Sequence, residues 1–399
     1  MNIFDEIQLK SEKKIRVMYL LNQLKLPEIK PTKYLPLYVE SKYLKEYSLA
    51  DKIQMAKSRI IEFLEKLPNK DIMISFSGGR DSCVLRHLVH EVQDIMGKPR
   101  SKLLIASEIF HPETLKFINH FKNEYEIAPP IKSFEQIISE NGFPIISKQI
   151  AQKINHLRNT RNHRKYIRAI FGLDNNKYGT LPLKYIHFLD KDFVDYGISH
   201  KCCDYIKGKI KKDKRPVFIG TTINESRLRR HTWVKYGCIQ YANNKPDVCK
   251  PLSLFTQKDI NEYIEKNKIK ISKIYDLGYL RSGCICCGFG LSLEEKLKKE
   301  KIIPMNRFEL LYKSNKELFK YFFIKLEMWK PLADCQITLN INDPVMIKFN
   351  QRPKEIKNWY MNIDVNLNKI LDEIEKRNPS CWNNEEKQWI FQKYRKVVS

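Results

Sequence analysis

Two short runs of this 399-residue chain combine residue types that do chemistry. The first is Ser77-Gly78-Gly79-Arg80-Asp81-Ser82, placed between the apolar run Ile72 to Phe76 and an amphipathic stretch. Adjacent glycines let the backbone turn tightly and approach a ligand closely. A helix that starts next would present free N–H groups and the positive end of its dipole. With the hydroxyls of Ser77 and Ser82, such a turn is an anion cradle for phosphate or sulfate. It is not the G-x-x-x-x-G-K-S/T phosphate loop. The plainer alternative is a Gly-Gly turn that only connects a strand to a helix.

The second run is Cys284-Ile285-Cys286-Cys287, which follows the pair Cys202-Cys203 after roughly eighty residues. Clustered cysteines outside an oxidising compartment more often mean metal or catalysis than disulfides. Four thiolates from Cys202, Cys203, Cys284 and Cys287 suit tetrahedral zinc or an iron–sulfur cluster. Neighbouring side chains diverge, which is awkward around one zinc. A cube with separate irons accommodates the pair better, so iron–sulfur is the favoured expectation and zinc the alternative. Cys286 could replace one ligand, and Cys238 is a further candidate. Cys249 is less persuasive, and Cys83, Cys335 and Cys381 read as small buried hydrophobes.

The elements around these runs have a clear order. Residues 48–66 carry apolar residues at Ile53, Ala56, Ile60, Ile61 and Leu64, a helical stripe that Pro68 stops. Ile72 to Phe76 reads as a buried strand, Asp81 to about Met96 as a helix, and Lys102 to Ala106 as a second strand. A helix follows Pro112, and Val217 to Gly220 is a later strand of the same kind. Thr256 is a plausible cap for a helix over 256–267, and 292–299 and 306–325 read as helical. This β-α-β-α order predicts an α/β fold: a doubly wound parallel sheet with helices on both faces, plus helical N- and C-terminal additions. The expected parts are an N-terminal appendage (1–47), a nucleotide-binding α/β domain (48–270), a cysteine-containing helical region (271–340) and a C-terminal extension (341–399).

The sequence Ser77 to Ser82 resembles the SGGxDS signature of the PP-loop ATP pyrophosphatases and phosphoadenosine-phosphosulfate (PAPS) reductases. More pieces match in order: His111-Pro112-Glu113-Thr114, Gly142-Phe143-Pro144 with Ser147-Lys148, Gly220 followed by Glu225 to Arg230, and Pro251-Leu252 with Asp259. The resemblance spans roughly residues 50–335. It implies an adenine nucleotide, ATP with magnesium, held by Ser75, Ser77, Gly78, Gly79, Arg80, Asp81, Ser82, Ser107 and Gly220. It makes Asp81, Arg229 and Arg230 the candidate catalytic residues, with His111 and Glu113 as weaker ones. A carboxylate beside phosphates needs a cation or an N–H donor, which suggests a magnesium-linked or loop-ordering role for Asp81. The Cys-Cys…Cys-x-x-Cys spacing resembles the 4Fe–4S signature of adenylylsulfate (APS) reductases. Two positions depart from the family: Ala106-Ser107-Glu108 stands where Asn/Asp-Thr-Gly is common, and Thr222 stands where Arg is common.

Composition bounds the partners. The net charge of +26 favours polyanions such as nucleic acid. Residues 148–168 hold Lys148, Lys153, Arg158, Arg161, Arg164, Lys165 and Arg168 without an acidic residue, a one-sign surface if helical. The alternative is the solvated face of a Lys-rich protein. His87 and His90 read as packing or surface residues. No apolar run spans a membrane and the first residues lack a signal pattern, so the expected location is the cytoplasm, without a membrane partner.

Three functions fit. The first is a PP-loop ATP pyrophosphatase-type sulfurtransferase acting on nucleic acid, similar to the PP-loop component of DNA phosphorothioation. Its partners would be a sulfur donor such as a cysteine desulfurase and modification-complex subunits. The second is an APS or PAPS reductase, although the chain carries no Glu-Cys-Gly-x-His motif. The third is a non-catalytic binding subunit.

Overall fold

The computed structural model describes residues 47–106, 110–174, 179–207, 214–242 and 245–395. The expected appendage falls almost wholly outside these residues, as do Ser107 and Glu108. The main sheet has six strands: β1 (Met73–Ser75), β2 (Leu103–Ile105), β3 (Tyr125–Ile127), β5 (Val217–Ile219), β6 (Ile239–Gln240) and β7 (Val248–Cys249). A separate two-stranded sheet pairs β4 (Ile145–Ile146) with β8 (Gly288–Phe289). Pairing is parallel in β1–β5, β5–β7 and β2–β3, and antiparallel in β6–β7. The protein is thus an α/β fold with helices around a mostly parallel sheet. The short apolar runs predicted as strands are strands because their side chains are buried: all of β2, and Met73 and Ile74 of β1.

The chain divides into two compact units, each discontinuous in sequence. The first takes its described residues from 1–75, 80–102 and 214–270. Its Leu49–Lys66 helix begins at a Ser48/Asp51 capping box and buries Ala56, Ile60, Phe63 and Leu64. Phe63 meets Phe218 of β5 edge to face, with ring centroids 5.1 Å apart. Thr256 does cap the Gln257–Lys266 helix, in a capping box with Asp259. Asp259 also accepts a 2.7 Å bond from Lys52 Nζ, an ion pair almost closed to water.

That pair yields a testable expectation. Burial pushes the Asp259 carboxyl up, but bonds from Lys52 and Thr256 outweigh it and hold the carboxyl below its usual range. The pair therefore stabilises fully above the unfolded-state value near 4, and the contribution is lost as pH falls through the lower folded value. Lys52→Met should cost about 3 kcal/mol at pH 7, because it strands a buried carboxylate. Urea titrations of both proteins should converge towards pH 3.

The second unit takes its described residues from 76–79, 103–213 and 271–399. Its core runs from Phe134 and Ile137 through Phe171, Phe188 and Cys202 to Phe308, Phe323, Leu371 and Tyr394. Much of the region after residue 340 contributes to this core. The helices Ile347–Met361, Ile363–Arg377 and Asn384–Arg395 build the same core as the 271–340 region. Asp334, buried, accepts bonds from Arg352 and Tyr196, and Arg352 also donates to Phe193 O.

The basic segment 148–168 is corrected by its surroundings. It forms two helices, Lys148–Asn159 and Arg164–Phe171, rather than one continuous face. Lys153 and Arg158 are buried, and Arg158 donates to Tyr196 O and Val194 O. Arg168 ties Asp174, Glu386 and the Cys381 carbonyl. Only Lys148, Arg161, Arg164 and Lys165 remain exposed cations. Charge pattern alone could not separate internal cross-links from a surface.

Candidate loop and cysteine site

The turn after β1 is shaped by its glycines. Gly78 has φ +67°, and a β-carbon there would stand 2.9 Å from Thr114 Cγ2 and 3.0 Å from Ile118 Cγ1. Both the left-handed backbone and the missing space require glycine. At Gly79 the neighbours are polar. A β-carbon would lie 3.0 Å from the Ser282 hydroxyl oxygen, 3.3 Å from Ser77 Oγ and 3.4 Å from the Tyr275 hydroxyl. Gly79 N–H also donates to Ser77 Oγ at 3.4 Å. Three hydroxyls thus surround a bare backbone, which suits an oxyanion.

Arg80–Ile95 then forms the helix that the sequence places after the loop, with Asp81 in its first turn. Ser82 is buried, while Ser75, Arg80 and Asp81 are half-buried. Arg80 Nη1 reaches Asn261 Oδ1 at 3.4 Å. Gly220, just after β5, lies close to the start of the Arg80–Ile95 helix: a β-carbon there would be 3.1 Å from the Asp81 carbonyl oxygen. Asp81 and Gly220 are therefore neighbours. Arg229 and Arg230 are exposed residues of the Arg227–Tyr236 helix, where Ser226 caps Arg229 N–H and Arg229 pairs with Glu225.

Cys202, Cys203, Cys284 and Cys287 all belong to the second unit and feel one another's charge. Burial, then Cys287, Cys203 and Cys284, push the Cys202 thiol well up, against Lys148. Burial pushes Cys287 up to about 12, opposed by Arg307 and reinforced by Cys284 and Cys203. Burial also raises Cys284, with Lys207 and Arg307 opposing and Cys203 reinforcing. Cys286, fully buried, is raised by burial and then by Cys284, Cys287 and Cys202. The Cys284–Cys287 segment closes on itself through Cys287 N–H to Cys284 O at 3.1 Å. Cys238 and Cys249 belong to the first unit, where Trp233 Nε1–H donates to Cys238 Sγ at 3.2 Å. Cys83 is buried on the helix after the loop, and Cys381 is buried with its thiol pushed up to about 11, chiefly by burial.

Among the described residues, no three or more His, Cys, Asp or Glu side chains are arranged to hold a single metal ion. A cube asks for a different arrangement, because each thiolate takes its own iron. Its donor chemistry suits these residues. Thiols this buried, each opposing its neighbours' ionisation, become stable as thiolates only with positive charge among them. Arg307 supplies some of it. Nearly buried and held by Glu294, it donates from Nη1 to Cys284 O at 3.0 Å.

Sequence reasoning missed Ser282, Tyr275 and Arg307. The Arg281-Ser282-Gly283-Cys284 context hinted at the first. Nothing local marks Tyr275, and Arg307 stands out only as the first residue after the Asn306 helix cap. His87 bonds the Tyr263 hydroxyl at 2.9 Å and His90 the Ser101 carbonyl at 3.0 Å, consistent with packing roles. No described helix is long and apolar enough to cross a membrane.

No curated protein matches the chain. Among solved structures, phosphoadenylyl-sulfate (PAPS) reductase from Candida auris, in a phosphate complex, is similar at 12% identity. The match covers 65% of this chain and 98% of that one, with a TM-score of 0.29. U34-tRNA thiolase NcsA from Methanococcus maripaludis, with its 4Fe–4S cluster, is similar at 13% identity. That match covers 69% of this chain and 80% of the other, with a TM-score of 0.29. The phosphoadenosine phosphosulfate reductase domain matches residues 71–288, more than half of the chain, and the protein belongs to that family.

Proposed function

We propose that the protein is a PP-loop ATP pyrophosphatase-type enzyme of sulfur transfer, with nucleic acid as acceptor. One observation carries the reading. The Ser282 hydroxyl lies over Gly79 of the loop, and Cys284 is two residues further along the same segment. An anion held at the loop would thus be a short chain distance from the thiols.

In this reading Ser77, Gly78, Gly79 and Ser82 hold the phosphates of ATP, and Asp81 orders the loop or its magnesium. An acceptor oxygen attacks the α-phosphorus, the α–β bridging bond breaks and pyrophosphate leaves. A sulfur nucleophile then displaces AMP. The loop contributes positioning and charge neutralisation. Cys202, Cys203, Cys284 and Cys287 would hold a 4Fe–4S cluster, which when bound supplies a site to hold or relay sulfur. Arg307 fixes the Cys284 backbone beside it.

Two exposed lysines support a polyanionic acceptor: Lys201 immediately precedes Cys202 in sequence, and Lys148 lies close enough to oppose the rise of the Cys202 thiol. Such charges attract a phosphate backbone. The PAPS reductase reading needs a nucleophilic cysteine. Cys381, whose thiol is fully buried beside Trp382, is badly placed for that role.

Anaerobically reconstituted protein should convert ATP to AMP and pyrophosphate, with the rate rising at least tenfold on adding tRNA or duplex DNA. ADP and phosphate as products, or sulfite release from APS or PAPS with thioredoxin, would overturn the assignment.

A further inference from the structure

The two glycines of the loop are touched by two different segments of the second unit. A β-carbon at Gly78 would meet Thr114 and Ile118, both on the Pro112–Asn119 helix. His111 caps that helix, its Nδ1 accepting the Glu113 N–H at 3.3 Å. A β-carbon at Gly79 would meet the hydroxyls of Ser282 and Tyr275. The two segments also touch each other. Thr114 Oγ1 lies 3.4 Å from Ser272 Oγ, and neither residue is exposed. Phe110, just before the helix, forms an antiparallel bridge with Cys284, two residues after Ser282. Loop, helix and the 272–284 segment thus make a closed ring of contacts, and the backbone of Cys284 is one of its joints.

One part of the ring is less firmly held than the rest. Tyr279 is anchored, buried with its hydroxyl donating to Met305 O at 2.6 Å. Cys284 is anchored by Arg307 Nη1 on its carbonyl. Between these anchors Leu280 is 54% exposed, Arg281 is exposed, and Ser282 and Gly283 are half-buried. A short span with so little buried apolar surface opens locally at low cost. Its Ser282 hydroxyl is the group that lies over Gly79, so an oxyanion accepting from Ser282 and Tyr275 would tie the span to the loop.

We propose that a phosphate anion bound at the loop fixes the 280–283 span through Ser282 and Tyr275, and so governs when the Cys284 thiol can react. The inference rests on the reading of the loop as a phosphate site and adds a control to it. A ligand that binds the closed span better than the open one shifts the population towards closed. The half-buried Cys284 thiol is then reached less often. Ser282 is a positioning residue in this account, since it acts on Cys284 through the backbone between them.

Alkylation of the full chain, freed of metal, by iodoacetamide measures the opening when followed at Cys284 by peptide mass spectrometry. A saturating non-hydrolysable ATP analogue with magnesium should slow the reaction at Cys284 at least about fivefold, the lower end of common couplings between sites. Cys335, which caps the Trp329–Asp334 helix of the same unit, should change less than about twofold. Equal slowing at both thiols would be general stabilisation and overturns the proposal. Ser282→Ala and Tyr275→Phe, each saturated with the analogue, should protect Cys284 less than about twofold. Protection kept in full by both variants would mean that the analogue merely covers the thiol, and overturns the proposal too. Calorimetry distinguishes the remaining failures. An analogue that binds without slowing Cys284 overturns the inference and leaves the loop reading intact. An analogue that does not bind removes both.

Discussion

Alanine at any one of Cys202, Cys203, Cys284 or Cys287 should reduce bound iron and acid-labile sulfide from about four per chain to less than one. The reason is electrostatic as much as geometric. Cys202, Cys284 and Cys287 resist ionisation because of burial and of neighbouring thiols, so a bound metal and its thiolates would stabilise each other. Loss of one ligand leaves an open iron and three thiolates with less positive charge to hold them. Melting temperature should fall with the metal, since a ligand bound only by the folded state adds to stability. Cys286 supplies the sharpest comparison, being fully buried within the same group. Cys286→Ala should keep its iron if the quartet is assigned correctly, and Cys335→Ser should do so in any case. Metal analysis and the visible spectrum of anaerobically purified variants measure this directly. Iron lost with Cys286→Ala but retained with Cys203→Ala would move the ligand assignment by one thiol.

Gly78→Ala should weaken adenine-nucleotide affinity at least about 100-fold and destabilise the fold. A left-handed alanine alone costs about 1–2 kcal/mol. The new methyl would also sit 2.9 Å from Thr114 Cγ2, a contact that real β-carbons do not make. Either the Thr114 and Ile118 side chains or the turn must give, and a shift of the turn carries Gly79 and its ring of hydroxyls with it. Gly97→Ala provides the control, because Gly97 has φ +63° with nothing within 4 Å of the added carbon. Urea unfolding of the two variants separates backbone strain from the clash, and calorimetric titration with a non-hydrolysable ATP analogue reads the loop. Equal affinities in the two variants would mean that the turn does not bind nucleotide.

The strands and the helices that frame the loop were legible because each carries its signal locally. Ile72 to Phe76 is a continuous apolar run, Thr256 announces its helix, and two adjacent glycines mark a turn. The cysteine grouping was legible only through the resemblance of its spacing to a known signature, since nothing local brings residue 203 towards 284. Tyr275 was not legible as a loop neighbour, and Ser282 only faintly through its place beside Cys284, because both reach Gly79 from about two hundred residues away in sequence. The helices beyond residue 340 carry no motif, yet Trp359, Leu371 and Tyr394 are core residues. Apolar periodicity gives such helices a buried face without saying what they cover. The exposed basic face expected over 148–168 failed for a related reason: Arg158 and Arg168 find carbonyls and carboxylates that lie far off in sequence.

The shared core of the second unit has a consequence for biosynthesis. Cys202 packs in the same cluster as Ile390 and Tyr394, so that cluster stays incomplete until the Asn384–Arg395 helix has been made. A ribosome adding about 5–20 residues per second takes on the order of 10–40 seconds to travel from the first cysteine pair to that helix. Throughout this interval the nascent thiols stand open both to an iron–sulfur delivery machinery and to oxidants. Docking of the Asn384–Arg395 helix then completes the core in which Cys202 is buried.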